Sequence, residues 1–211
     1  MNTLSTSKSN TLNKKGAIIL PLFTFRVSSN TATVPTTTTG TSYTITNTGS
    51  VAMINDATRG FVFSLTGGNC LSVAVTTPLN TTKSFWLSSS TPASSGGNAF
   101  STTKCPIWFN GGTFLKAGVN HPSPTNVFST IAQTSTWLFY TITTSDTTTT
   151  MYVNGTQVAT ASVAWTGDTT TMYFGAYQGA NFLTGRMDDI RFYSSILTAT
   201  EINALYTTTL L

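Results

Sequence analysis

Charge is what this sequence has least of: 8% of its 211 residues are Asp, Glu, Lys or Arg, roughly a third of the usual share. The acids number six: Asp56, Asp146, Asp168, Asp188, Asp189 and a single glutamate, Glu201. Histidine occurs once, as His121. Such a stock excludes a multi-carboxylate metal centre standing beside a structural ion-pair network. It also leaves few ways to build general acid–base chemistry. The formal net charge is +4 because acids are scarce, and the ten Lys and Arg are scattered along the chain. Nucleic-acid binders gather such charge on one face or helix, so no nucleic-acid partner is expected. Two cysteines, Cys70 and Cys105, lack a C-x-x-C metal spacing, which leaves two buried thiols or one disulfide. No apolar run is long enough to span a membrane. The stretch 16–25 follows Lys14-Lys15 as a signal-peptide core would, but it contains Pro21, meets Arg26 at once and has no small-x-small cleavage site. It reads as a first core strand and not as an export signal.

In place of charge the chain carries threonine, roughly a fifth of all residues and well above average usage. β-Branched threonine favours strands. Thirteen Phe, seven Tyr and four Trp supply the mass of a core. Residues 1–15 are polar and aperiodic and read as a flexible arm; residues 16–211 read as one domain. Short alternating runs broken by Gly, Asn and Pro predict an all-β sandwich. Gly60–Leu65 and Leu71–Val75 around Gly67-Gly68-Asn69 predict one hairpin. Thr149–Val153 and Thr156–Thr160 around Asn154-Gly155 predict a second, since both turn residues tolerate positive φ. Trp86 and Trp137 fall in alternating strands and read as core. The Ser88–Asn98 segment, with Pro92 and Gly96-Gly97, reads as an exposed loop. Thr198-Ala-Thr-Glu201 has a capping-box pattern, so one short helix with Ile202, Leu205 and Tyr206 on its apolar side is expected at the C-terminus.

The closing run Leu183-Thr-Gly-Arg-Met-Asp188-Asp189-Ile-Arg-Phe-Tyr193, followed by Leu197-Thr198 and Glu201-Ile202 to Leu205-Tyr206, resembles the end of laminin-G-like jelly rolls of the concanavalin A-like lectin/glucanase superfamily. Upstream, Asn47–Val51, Arg59–Phe63 with Gly67-Gly68, Ser84–Trp86, Thr136-Trp137, Met151–Gly155 and Phe174-Gly175 follow the family in matching order, over about residues 45–206. The resemblance implies a two-sheet antiparallel jelly-roll sandwich with one short C-terminal helix. It does not imply one function.

Hydrolases of this superfold need a facing carboxylate pair. Glu201 sits in the predicted cap, and Asp188 and Asp189 are adjacent on a strand, pointing to opposite faces. No such pair is present, so no catalytic residue is assigned. His121 lies in an Asn-His-Pro-Ser-Pro loop without a nucleophile motif. The resemblance brings Ca²⁺ as a possible cofactor, with Asp56 and Asp188 as the candidate metal ligands and Asp168 in reserve. The residues themselves offer Asp188 to Arg59 or Arg186 instead, which would leave no cofactor. Sugar recognition joins aromatic platforms to loop amides and carboxylates, and Trp108, Asn110, Trp165, Asp168, Tyr177 and Asn181 fit that description. Asn80-Thr-Thr82 and Asn154-Gly-Thr156 are glycosylation patterns expected by chance in a chain so rich in threonine. The expected role is a non-enzymatic attachment module whose partner is a glycan or cell-surface polysaccharide, placed on a virion or cell surface. The alternatives are a structural capsid or fibre subunit without sugar binding, and a diverged glycoside hydrolase or lyase.

Overall fold

The computed structural model describes residues 11–12, 18–19, 23–25, 45–76, 78–89, 97–109, 114–119, 125–163, 167–168 and 171–209. In chain order the strands are β1 (Thr11–Leu12), β2 (Ile18–Ile19), β3 (Phe23–Phe25), β4 (Ile45–Thr48), β5 (Ala52–Asp56) and β6 (Gly60–Thr66). Next come β7 (Cys70–Ala74), β8 (Thr81–Ser88), β9 (Asn98–Ser101), β10 (Ile107–Phe109), β11 (Phe114–Val119) and β12 (Thr125–Ala132). The series ends with β13 (Leu138–Thr144), β14 (Thr148–Val153), β15 (Thr156–Ser162), β16 (Thr171–Phe174), β17 (Thr184–Tyr193) and helix α1 (Ala199–Thr208). A seven-stranded sheet in the order β12-β11-β10-β9-β16-β7-β4 packs on an eight-stranded one in the order β15-β14-β13-β8-β17-β6-β5, where β3 also pairs with β17. Every pairing between the described strands is antiparallel. The expected jelly-roll sandwich is present.

Alternation puts one side chain in two between the sheets. Phe85, Leu87, Tyr140, Ile142, Met151, Met187, Ile190 and Phe192 of the larger sheet meet Leu71, Val73, Phe100, Ile107, Leu115, Met172 and Phe174 of the smaller one. The other face of the larger sheet carries a second apolar layer. Trp86, Phe139, Tyr152 and Tyr193 pack there with Leu197, Ile202 and Leu205, so α1 lies across that face. Thr198 and Glu201 exchange the two hydrogen bonds of a capping box, as expected.

Two local expectations fail, both at connections. Gly67-Gly68-Asn69 closes no hairpin, because β6 belongs to the larger sheet and β7 to the smaller. The chain crosses between sheets there; Gly67 has φ +82° and its N–H donates to the Leu183 carbonyl at 3.1 Å. The 16–25 stretch is not one strand either. Ile18–Ile19 pairs with Thr11–Leu12, whereas Phe23–Phe25 pairs with Ile190–Phe192. Pro21, which has no N–H to give a ladder, stands between them. Thr11–Leu12 therefore belongs to a strand pair, and the rest of the expected arm lies outside the described residues. By contrast, Asn154 (φ +50°) and Gly155 (φ +76°) make the predicted tight turn between β14 and β15. Cys70 and Cys105 are buried free thiols. Among the described residues no helix is long and apolar enough to cross a membrane.

Candidate functional site

A cleft of about 460 Å³ opens where the β5–β6 turn, the start of β13, the β14–β15 turn, β17 and α1 converge, within the usual size range of ligand sites. Its walls are Asp56 to Arg59, Trp86, Ser135 to Trp137, Asn154, Arg186 and Tyr206. The inner wall is a locked charge pair. Arg59 donates through Nε to Asp188 Oδ2 at 2.9 Å, and both side chains are almost wholly buried. Its Nη2 donates to the Thr209 carbonyl at 3.1 Å, at the C-terminal end of α1. The guanidinium lies 4.1 Å from the centroid of the Trp86 ring, while the indole N–H of Trp86 donates to Thr209 Oγ1 at 3.0 Å. One arginine thus ties turn, strand and helix terminus together, where its charge also meets the negative end of the helix.

The outer wall is a second pair with a different exposure. Arg186 donates to Asp56 Oδ2; the arginine side chain is 36% exposed and the aspartate 3%. Asp56 is buried beneath it. Its Oδ1 accepts from the Thr58 N–H at 2.9 Å, the Arg59 N–H at 3.1 Å and Trp137 Nε1 at 3.1 Å. Burial pushes this carboxyl up, but those donors together with the Arg186 charge outweigh it and hold it below the ordinary aspartate value. The Trp137 ring lies 5.6 Å from the Arg186 guanidinium and 5.7 Å from that of Arg59. Arg186 Nη2 also donates to Ser88 Oγ at 3.2 Å. Asn154 stands at the rim, its Oδ1 accepting from the Phe139 N–H at 2.9 Å.

Most of the residues expected from sequence lie elsewhere. Trp108 is half-buried on β10 of the smaller sheet, paired across with Lys116. Asp168 is buried and accepts from the Lys104 N–H at 2.8 Å, and the Tyr177 hydroxyl donates to the Thr103 carbonyl at 3.3 Å. Those two therefore meet at the 103–104 turn, close enough for the Asp168 charge to help raise the Tyr177 phenol after burial. Asn181 is exposed at φ +48°. Asn110 and Trp165 lie outside the described residues, as does His121. Of the residues proposed for metal, Asp188 holds Arg59 and Asp56 holds Arg186, so Ca²⁺ would have to displace a guanidinium from each. Among the described residues no three His, Cys, Asp or Glu come together as a metal group. The pair does not fit the ion.

Sequence reasoning passed over the cleft itself. Trp137 read as core, yet it is half-buried on the cleft wall one residue before β13. Asn154 read only as a turn, and Arg186 as an alternative partner for Asp188. The available signal was scarcity: with so few acids, each buried arginine had to find a specific aspartate.

Residues 66–203 match the family model described as the concanavalin A-like lectin/glucanases superfamily, of the laminin-G type. The chain belongs to this superfamily. No curated protein matches it. Among solved structures it is similar to the binding domain of Paraclostridial Mosquitocidal Protein 1, with 14% identity and a TM-score of 0.72 over 89% of this chain and 52% of that one. It is also similar to the botulinum neurotoxin serotype D ligand-binding domain in complex with N-acetylneuraminic acid, with 15% identity and a TM-score of 0.71 over 89% and 50%. The receptor-binding domain of the botulinum neurotoxin C/D mosaic serotype gives 15% identity and 0.71 over 89% and 51%. The chain spans about half the length of these structures. At such identity they share a lectin-type fold with this superfamily member, and the shared property is the sandwich.

Proposed function

We propose that this concanavalin A-like domain is a non-enzymatic attachment module that binds a glycan in the Trp137–Arg186 cleft. The observation that carries the reading is the joining, in one cleft, of a half-buried indole with a half-exposed guanidinium and an amide. Aromatic surface with a few convergent polar groups is the usual make-up of a saccharide or small-ligand site. The similar solved structures are named as binding domains, which agrees with attachment as the role. Catalysis finds no support among the described wall residues, whose one carboxylate, Asp56, already accepts from three N–H groups and a guanidinium and faces no second carboxylate there. The surface carrying the module is proposed to be that of a virion or a cell.

A glycan array with the full chain tests the reading. Retention on at least one saccharide is expected, with a loss of tenfold or more in Trp137→Ala, whose melting temperature reports whether it still folds. Addition of EGTA should leave retention unchanged, because the aspartates that could hold Ca²⁺ hold arginines. If a folded Trp137→Ala keeps its retention and Trp108→Ala loses it, the site belongs on the smaller sheet. If no saccharide is retained, glycan attachment falls and the structural-subunit reading takes its place.

A further inference from the structure

Buried hydroxyl groups without a hydrogen-bond partner are rare in native proteins, and each calls for a reason. Here they are not scattered. Among the described residues, Thr81, Ser84, Thr141 and Thr149 leave their hydroxyl oxygens unpartnered, and all stand on the neighbouring strands β8, β13 and β14. Strand parity sorts them onto two faces. Ser84 and Thr141 oppose each other on the outer side of the larger sheet, with Trp86 and Phe139. Thr81 and Thr149 stand on the inner side, in the row Thr81–Thr144–Thr149 that crosses the three strands. Lys83 shares that side, and its Nζ donates to Thr144 Oγ1 at 3.1 Å. All four side chains of this inner group are at most 1% exposed. Cys105, wholly buried between β9 and β10 of the smaller sheet, lies close enough to interact electrostatically with Lys83. It packs on Val163, whose N–H donates to the Thr147 carbonyl, so the end of the core is closed there.

The chemistry of this group is a buried cation beside hydroxyls with hydrogens to give. An ammonium has three donors and no acceptor. Thr144 Oγ1 accepts one of them and keeps its own hydrogen, while the hydrogens of Thr81 and Thr149 have no acceptor among the described residues. Hydroxyls also accept, so by themselves they suit a water molecule as well as an anion. The ammonium makes the difference. A water leaves its charge in the core without a counter-charge, where burying a charge is most costly. An anion takes the same hydrogen bonds, strengthened by charge, and cancels it. Four side chains so fully covered leave room for a monatomic ion and not for an oxyanion or a carboxylate.

We propose that the polar end of the core is a halide site, where one chloride accepts from the Lys83 ammonium and from the Thr81 and Thr149 hydroxyls. It is separate from the cleft and does not depend on glycan binding: β13 begins next to Trp137 and ends at this site, with Thr144.

Melting temperatures of the full chain in sodium chloride, sodium bromide and sodium gluconate test the proposal, at equal ionic strength so that screening is the same. Gluconate is the reference, being too large for the site. Chloride and bromide should raise the melting temperature above it by about 3–6 °C once the halide is about tenfold above its dissociation constant, and further with the logarithm of concentration. Lys83→Met should lose this halide increment altogether, whatever its stability in gluconate. Thr149→Val, which exchanges a hydroxyl for a methyl, should lose most of it. Ser84→Ala removes an unpartnered hydroxyl from the other face and should keep it. Equal melting in the three salts overturns the proposal and leaves the hydroxyl row to water. A halide increment undiminished in folded Lys83→Met or Thr149→Val overturns it too, since the ion then binds elsewhere, as does an equal loss in Ser84→Ala. Should Lys83→Met fail to fold, the salt series on the native chain and on Thr149→Val still decides.

Discussion

Asp56 is the residue on which the cleft turns. It is buried, yet three N–H donors and a guanidinium hold it ionised below its ordinary value of 3.8. A carboxyl whose folded pKa lies below its unfolded one adds stability that is fully present above the unfolded value. That stability is lost as pH falls through the folded value. Urea midpoints measured from pH 7 down to pH 2 should therefore drop below about pH 4, and the drop should be shallower in Asp56→Asn. Parallel curves for the two proteins would show that Asp56 has no depressed pKa. At this scale the sequence was informative about pairing and silent about exposure. Scarce acids meant that Asp188 had to meet an arginine, and Arg59 is the partner found. Whether Trp137 faced core or cleft depended on where β13 begins. Alternation is the same on both sides of that boundary, so it could not tell.

Elements legible in the sequence are those closed by local chemistry. The Asn154-Gly155 turn and the Thr198–Glu201 box each need only neighbours a few residues away, and both formed as expected. Gly67–Asn69 misled because a glycine turn between two alternating strands looks the same whether the second strand pairs with the first or enters the opposite sheet. Pairing partners of β7, such as Ile45 and Met172, lie far away in sequence. The β14–β15 turn also meets α1, which no pattern announces. A Cβ on Gly155 would stand 2.9 Å from Asn203 Oδ1 and 3.2 Å from Asn203 Cα, at a φ of +76°. Gly155→Ala should consequently destabilise by about 1–2 kcal/mol from the left-handed backbone, with the helix contact adding to it. Asn203→Ala in the same chain should recover the contact part only, as a double-mutant cycle by urea denaturation would measure. A Gly155→Ala protein as stable as the native one would remove the turn–helix contact from the fold.

Across the whole molecule, the two sheets share a core that is apolar through its middle and polar at one end. Phe85 and Leu87 of β8 point between the sheets, so Thr81 and Lys83 on the same strand point there too. Thr144 and Thr149 stand opposite, in register with Thr81 and with each other. Lys83 is 1% exposed, and its Nζ donates to Thr144 Oγ1 at 3.1 Å. Burial lowers its pKa, against a smaller opposing pull from the nearby Cys105. A lysine in the middle of an alternating strand reads from sequence as solvated, because period-two alternation shows which residues share a face and not which face is covered. The unfolded chain binds a proton at Lys83 up to its ordinary value of 10.5, whereas the folded chain releases it at lower pH. Stability contributed by this residue must therefore rise with pH between the folded value and 10.5. Lys83→Met fills similar space without a charge to desolvate. At pH 7 it should stabilise by on the order of 1 kcal/mol, about 2–4 °C in melting temperature for a chain of this size, and flatten the rise toward alkaline pH. The exchange also removes the bond to Thr144 and leaves that hydroxyl buried. A lower melting temperature in Lys83→Met would therefore mean that the lysine is held by more than it loses through burial, and that the polar end of the core is a fastening between the sheets.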